Sequence, residues 1–222
     1  MNKKIIISVL VVILIILAIS VYFITKKGTN SNEKQNVQEN AQAEQKEVNK
    51  EEKSMYSSGK HHAQIVIKNY GTISLELDAD MAPITVENFA NLVNKGFYDG
   101  LTFHRIISGF MIQGGDPEGN GLGGSDKEIK GEFSANGVKN TISHTRGVIS
   151  MARAQSYNSA SSQFFIMHKD APYLDGSYAA FGHVTEGIEI VDKICEDTKV
   201  EDSNGTVLKE NQPVIEKIVM ID

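Results

Sequence analysis

The chain of 222 residues has one cysteine, no tryptophan and no excess of basic charge. A single cysteine, Cys195, excludes an intramolecular disulfide, and an isolated cysteine is more often a small buried apolar side chain than a nucleophile. The formal net charge is −6, and the acidic excess lies after position 60. Because phosphate contacts need a basic face, this balance argues against a nucleic-acid-binding domain.

Motifs that mark three common kinds of catalytic site are also missing. The glycine-rich stretch at residues 119–124 lacks the Gly-Lys-Ser/Thr ending of a phosphate-binding loop, so it predicts a flexible surface loop. No Gly-x-Ser-x-Gly nucleophile elbow surrounds Ser150 or Ser162. The six histidines do not follow metal-ligand spacing, and we therefore expect no metal site.

A long apolar run occupies residues 5–24 without a charged residue inside it, and lysines flank it on both sides. A helix of this length spans about 30 Å, the thickness of a bilayer core. A soluble helix would carry a polar face. The run predicts a single-pass signal-anchor over residues 1–24; a signal peptide cleaved near Ala18-Ile19-Ser20, with secretion of the rest, is the alternative. The N-terminal position and the preceding lysines place the remaining chain outside the cytoplasm at the cell membrane.

The next segment, residues 25–60, is rich in Asn, Gln, Glu and Lys and nearly free of large apolar side chains. Such a segment cannot bury enough surface to offset the entropy lost on ordering. It predicts a disordered polar linker between the membrane and a domain at residues 61–222.

The pattern of that domain predicts eight strands and two helices. Residues 63–68 and 72–77 alternate between apolar and polar, with a hairpin turn between them. Pro83 begins a helix with apolar side chains at helical spacing, and a second helix is predicted at residues 188–195. The other predicted strands are residues 103–107, 110–113, 148–152, 164–167, 179–184 and 214–221. This mainly β composition predicts a closed barrel capped at its ends.

Five blocks of the domain stand out as motifs: APITVENFANLV at residues 82–93, FHRIISGFMIQGGD at 103–116, GVISMARA at 147–154, NSASSQFFIM at 158–167 and YLDGSYAAFGHV at 173–184. Together these blocks resemble the cyclophilins. They follow the order and spacing of the family, and the resemblance covers about residues 63–222. It implies a closed eight-stranded antiparallel barrel capped by two helices. It also implies cis-trans isomerisation of X-Pro bonds in proline-containing polypeptides, without a cofactor.

The resemblance also implies roles for individual residues. Arg105 stands at the position of the catalytic arginine, and Gln113 at the position that holds substrate and orients this arginine. The other substrate-binding positions that it implies are Phe110, Met111, Ala152, Arg153, Gln163, Phe165, Tyr173, Leu174 and Tyr178.

Three of these positions differ from the usual residues of the family. Tyr173 replaces a tryptophan of many relatives, Tyr178 replaces a frequent histidine, and Arg153 replaces a frequent asparagine. The tryptophan position matters for tight binding of cyclosporin. The resemblance therefore implies cyclosporin as a ligand with reduced affinity.

The implied reaction suits an arginine in an apolar pocket. The barrier to rotation is the loss of amide resonance, about 18–20 kcal/mol, and no covalent bond is broken. In the twisted state the prolyl nitrogen regains its lone pair and accepts a hydrogen bond, which favours the transition state over either planar form. We therefore expect a monomeric isomerase with Arg105 as the donor; the alternative is a proline-segment binding module or chaperone with incidental turnover.

Overall fold

The computed structural model describes residues 55–222. The predicted signal-anchor at residues 1–24 and the predicted linker as far as residue 54 lie outside the described residues. No helix within residues 55–222 is long and apolar enough to cross a membrane.

The described chain contains the eight strands and two α-helices that the pattern predicts, with ends shifted by a few residues. In chain order they are β1 Lys60–Ile67, β2 Gly71–Asp78, α1 Pro83–Asn94, β3 Thr102–Ile107, β4 Met111–Asp116, β5 Val148–Met151, β6 Phe164–Met167, β7 Ala180–Glu186, α2 Ile188–Asp197 and β8 Ile215–Met220. Short 3-10 helices at Ser134–Asn136, Pro172–Leu174 and Lys209–Asn211 lie in the connections.

All eight strands belong to one antiparallel sheet with the order β3-β4-β6-β5-β7-β2-β1-β8. The eight antiparallel strands and two helices are confirmed. The predicted full closure of the barrel is not confirmed, because the sheet forms a half-barrel with β3 and β8 at its edges. The edge strands β3 and β8 approach each other at one isolated bridge, between Thr102 and Val214. Pro213 precedes this bridge and accepts a hydrogen bond from Phe103 N at 3.0 Å. Because proline has no N–H to donate, it cannot extend a ladder across this seam.

The first hairpin shows how the alternating pattern produces the sheet. Ile65 of β1 lies opposite Ile73 of β2, and both are fully buried. The turn between these strands places Asn69 at φ 67°, in the left-handed region that asparagine tolerates better than most residues. The inward side chains of this hairpin therefore form part of the main core.

Helix α1 covers the main core and receives its N-terminal cap from a distant residue. Phe89 of α1 packs against Tyr98, Phe164 and Phe181, with ring centroids 5.3–5.8 Å apart. At the start of the helix, the buried carboxylate of Glu132 accepts hydrogen bonds from Thr85 N, Thr85 Oγ1 and Ile84 N at 2.7–3.1 Å. A carboxylate at this end also suits the helix dipole.

Helix α2 buries Ile190, Val191 and Ile194, and Cys195 packs half-buried beside them. Burial raises the pKa of the Cys195 thiol to about 11. The thiol is therefore protonated at neutral pH, which fits the expected role of Cys195 as a small apolar side chain.

A second, smaller core cluster draws on β4 to β7 and the segment after β6, and consists of Met111, Val148, Phe165, Met167, Ala171 and Ala180. Phe110, Leu174 and Tyr178 pack against it while remaining half-buried. This cluster supports one wall of the groove described below.

Candidate active site

An open groove of about 750 Å³ lies over β3, β4 and β6. It is lined by most of the residues predicted from the sequence: Arg105, Phe110, Met111, Gln113, Ala152, Arg153, Phe165, Leu174 and Tyr178. The fold thus brings together residues from four of the five sequence blocks.

The other two predicted residues lie beside the groove. Gln163 lines an adjoining depression of about 370 Å³ and contacts the groove through Gln113. Tyr173 is 73% exposed, and its ring stacks on Phe110 with centroids 6.1 Å apart. Tyr173 therefore extends the outer edge of the apolar wall.

The guanidinium of Arg105 is fixed at the rim of the groove. Its Nε donates to the carbonyl of Asn204 at 2.8 Å, and one terminal nitrogen donates to Asn204 Oδ1 at 3.1 Å. The other terminal nitrogen donates to Gln113 Oε1 at 3.2 Å. A guanidinium has five N–H donors, so these three bonds orient it and leave donors for a bound peptide.

Arg105 keeps its charge in this position. Partial burial lowers the pKa of the guanidinium, while Tyr178 and Asp202 act in the opposite direction. Because arginine titrates far above neutral pH, the group remains a cation at pH 7.

A chain of side-chain amides connects Arg105 to the next loop. Gln113 accepts from Arg105 through Oε1 and donates through Nε2 to Gln163 Oε1 at 2.8 Å. Gln163 in turn donates to the carbonyls of Gly121 and Gly123, at 3.1 and 2.7 Å. Since Gln113 accepts at one end and donates at the other, its amide has a single orientation that satisfies both contacts.

The glycine-rich loop forms one edge of the groove and is anchored by Asp116. This buried carboxylate accepts hydrogen bonds from the backbone N–H groups of Glu118, Asn120 and Gly121 at 2.6–3.0 Å. Burial alone would raise the pKa of Asp116, but these backbone donors outweigh it and hold the pKa below its usual value. The loop is therefore tied to the end of β4.

The apolar floor of the groove is formed by Met111 and Phe165, which are almost fully buried. The Phe165 ring stacks on His144 at 6.0 Å and meets Tyr178 edge-on at 5.9 Å. His144 is itself held between Asp175 and Ser150 by hydrogen bonds of 2.8 and 3.0 Å. The floor is thus backed by a buried polar network that fixes the Phe165 ring.

The side chain of Arg153 packs against aromatic rings beside the groove. Its guanidinium carbon lies 4.7 Å from the Tyr178 ring centroid and 5.1 Å from that of Tyr157. Its Nε donates to Ser177 O at 3.0 Å. Contacts of this kind stabilise the segment that carries Tyr178.

Comparison with known proteins identifies the family of this domain. Residues 62–220 match the model of the family described as cyclophilin type peptidyl-prolyl cis-trans isomerase/CLD. The chain belongs to the cyclophilin-type peptidyl-prolyl cis-trans isomerases. The resemblance inferred from the five sequence blocks is thereby confirmed.

Individual relatives agree with this assignment to the cyclophilins. Peptidyl-prolyl cis-trans isomerase B of Bacillus subtilis is 43% identical over 145 residues, which cover 65% of this chain and 92% of that protein. A peptidyl-prolyl cis-trans isomerase of Helicobacter pylori is 48% identical over 128 residues, 57% of this chain and 76% of that protein. A crystal structure of a Cryptosporidium parvum cyclophilin aligns with TM-score 0.65 and 31% identity, and the alignment covers 74% of this chain and 99% of that one. A second structure of that protein, determined in the presence of the dipeptide Ala-Pro, aligns with TM-score 0.64 and 32% identity and covers 72% of this chain and 99% of that one.

Several groove residues of the cyclophilin domain were not predicted from the sequence. Asn204, Thr206 and Leu208 also line the groove. They follow α2 and fall outside the five recognised blocks, so no local signal marked them.

His104 is another groove residue that sequence reasoning missed, although its position directly before Arg105 in a recognised block was a usable signal. It is 5% exposed, and within the described part of the chain neither ring nitrogen has a hydrogen-bond partner. Burial lowers its pKa, Asp116 opposes this shift and Arg105 adds to it. His104 is therefore neutral at pH 7 in the folded cyclophilin domain.

Proposed function

We propose that this cyclophilin domain accelerates rotation about X-Pro bonds in polypeptides, with Arg105 as the donor to the prolyl nitrogen. One observation carries the proposal: a guanidinium held by Gln113 and Asn204 stands at the rim of an apolar groove. Proline-containing peptides are the proposed substrates. This class is supported by the Cryptosporidium parvum relative determined in the presence of Ala-Pro.

Fixed hydrogen bonds make Arg105 suited to selective stabilisation of the twisted amide. In the planar amide the nitrogen lone pair is delocalised and accepts almost no hydrogen bond, whereas the twisted nitrogen accepts one. Because Gln113 and Asn204 already orient the guanidinium, little reorganisation is needed when the bond rotates. The interaction therefore lowers the barrier more than it stabilises either ground state.

The apolar residues of the groove are proposed to hold the pyrrolidine ring while the preceding carbonyl turns. Phe110 and Leu174 form the half-buried wall, and Met111 and Phe165 form the floor. A poorly hydrated wall strengthens a nearby charged contact because the local dielectric constant is lower than in water. No step of this reaction calls for a nucleophile, a metal or another cofactor.

The domain is proposed to act outside the cytoplasm, tethered through the signal-anchor at residues 1–24 and the polar linker. The uninterrupted apolar run and its flanking lysines support this topology. A protease added to intact cells should then remove the domain and leave a membrane-bound stub. Recovery of the whole domain from the medium would instead support the cleaved and secreted form.

The second candidate function is a proline-segment binding module or chaperone with incidental turnover. The open groove favours it in part, since a shallow apolar surface can hold extended chains without turning them over. Arg105→Ala distinguishes the two functions. If folding assistance in cells survives the loss of isomerase turnover in this variant, the binding function is the relevant one.

Exchange of a short Ala-Pro peptide between cis and trans, followed by NMR, tests the enzymatic function. The parent should speed exchange at catalytic concentrations. Lys217→Ala removes a positive charge from the exposed face of β8, away from the groove, and is therefore the matched control for Arg105→Ala. Peptide binding without faster exchange in the parent would refute the enzymatic proposal.

A further inference from the structure

A polar network behind the groove connects the turn before β4 to helix α2, and the proposed reaction does not use it. Its centre is His168, directly after β6, with a side chain that is 13% exposed. One ring nitrogen, Nδ1, lies 2.7 Å from the backbone nitrogen of Gly109. The other, Nε2, lies 3.1 Å from Asp192 Oδ1 on α2.

These two contacts define the protonation of the His168 ring. A backbone N–H can only donate, so Nδ1 has to be the unprotonated acceptor for Gly109. The hydrogen of a neutral ring then lies on Nε2 and is donated to the Asp192 carboxylate. The neutral Nε2–H tautomer satisfies both partners at once.

The carboxylate that receives this hydrogen is itself held rigidly. Arg146 makes two parallel hydrogen bonds of 2.7 Å to the two Asp192 oxygens. This arginine also donates to the backbone carbonyl of His168 at 2.8 Å. The hydrogen bonds from Arg146, and then its charge, hold the pKa of Asp192 below the usual value. Asp192 is thus a fixed anionic acceptor at neutral pH.

His168 holds the turn that carries Phe110 through two hydrogen bonds, one from its ring and one from its backbone. Its ring accepts from Gly109, the residue before Phe110, and its backbone N–H donates to Phe110 O at 2.9 Å. The turn also contains a hydrogen bond from Phe110 N to Ile107 O at 2.9 Å. The Phe110 side chain lines the groove, so the orientation of this wall depends on how firmly the turn is held.

We propose that His168 is a positioning residue of the isomerase: its neutral ring fixes the β3–β4 turn so that Phe110 faces the bound proline. This inference rests on the proposed function, because it assigns Phe110 to the proline pocket. It adds a residue outside the groove, connected to α2 through Asp192 and Arg146.

Protonation of the His168 ring would break its hydrogen bond with Gly109. A proton on Nδ1 would set two donors against each other at Gly109, and that hydrogen bond would be lost. The charged groups beside the ring are Asp192 and Arg146, and Lys169 and Asp170 follow on its own segment. Substrate affinity should therefore fall in parallel with protonation of His168.

The test compares His168→Ala, His168→Asn and the control His183→Ala in the full-length chain in detergent micelles. His183 is an exposed histidine of β7 outside the network. The Oδ1 of an introduced asparagine can accept from Gly109 and does not titrate. We expect His168→Ala to raise KM roughly three- to fivefold, as the loss of one hydrogen bond implies, with a smaller change in kcat. His168→Asn should recover most of this loss.

The dependence of KM on pH distinguishes a positioning role of His168 from a purely structural one. In the parent, KM should rise with acidification at the same midpoint as the His168 ring signals of 15N-histidine-labelled protein, and this rise should be absent in His168→Asn. Equal losses in both His168 variants, or a ring hydrogen on Nδ1 at neutral pH, would overturn the inference.

The test of the His168 inference can fail or succeed independently of the isomerase proposal. If the parent speeds no exchange, the isomerase proposal fails. The His168 inference is then decided by the Gly109 amide and Phe110 ring signals and by Ala-Pro affinity. These should change in His168→Ala and return toward the parent values in His168→Asn; unchanged values in His168→Ala would refute it.

Discussion

Replacing Gln113 by leucine should reduce catalysis by loosening Arg105 without removing it. The substitution removes the acceptor 3.2 Å from the guanidinium and the donor 2.8 Å from Gln163, while a leucine keeps a similar volume. A hydrogen bond to a charged group contributes about 1.5–3 kcal/mol, and the half-buried position favours the lower figure. A loss of about 1.5 kcal/mol corresponds to a roughly tenfold fall in kcat/KM.

The assay is the rate of cis-trans exchange of an Ala-Pro peptide, measured with the parent, Gln113→Leu and Gln163→Leu. Gln163 is one contact further from Arg105, so its variant should lose less activity than Gln113→Leu. The reasoning would be refuted by a Gln113→Leu variant within twofold of the parent, or by a larger loss in Gln163→Leu than in Gln113→Leu.

Three further predictions concern stability and ligand binding. Glu132→Ala should lower the free energy of unfolding by about 3 kcal/mol, because two buried donors of Thr85 and the partly buried N–H of Ile84 lose their acceptor. Urea unfolding beside the exposed control Glu128→Ala checks this, and equal stabilities would contradict it. The pKa of Asp116 is lower in the folded state than in the unfolded state, so its contribution to stability is present above the unfolded value of about 3.9 and is lost as pH falls through the folded value. Urea unfolding between pH 2 and 7 should therefore show a smaller loss of unfolding free energy on acidification for Asp116→Asn than for the parent. Parallel curves would argue against this. The weak cyclosporin binding that the resemblance implies should tighten in Tyr173→Trp, since the larger ring would extend the wall formed with Phe110. A titration checks this, and an unchanged Kd or no binding in either protein would count against it.

The parts of the fold predicted from sequence are those with a local signal. The alternation in β1 and β2 marks the buried face of the hairpin, and the spacing around Phe89 marks the inner face of α1. Arg105 and Gln113 were found because both fall in one contiguous block, which places them on adjacent strands. Resemblance, rather than periodicity, supplied their roles.

Features that depend on contacts between distant segments could not be predicted. Glu132 caps α1 from 47 residues away in the chain, and Asn204 reaches Arg105 across 99 residues. Neither contact leaves a periodic pattern, because each depends on how two loops pack in three dimensions. The seam between β3 and β8 depends in the same way on Pro213. The sequence likewise does not show that the Tyr173 ring stacks on Phe110 at the outer edge of the groove.

The most direct test of the central claim is the Ala-Pro exchange rate with the parent and with Arg105→Ala, measured beside Lys217→Ala. Removing one preorganised donor to a transition state typically costs about a hundredfold or more in kcat. We predict rapid exchange with the parent and with Lys217→Ala, and a loss of that size in Arg105→Ala while the peptide still binds. Equal exchange rates in Arg105→Ala and the parent would contradict the assignment of Arg105 as the catalytic donor.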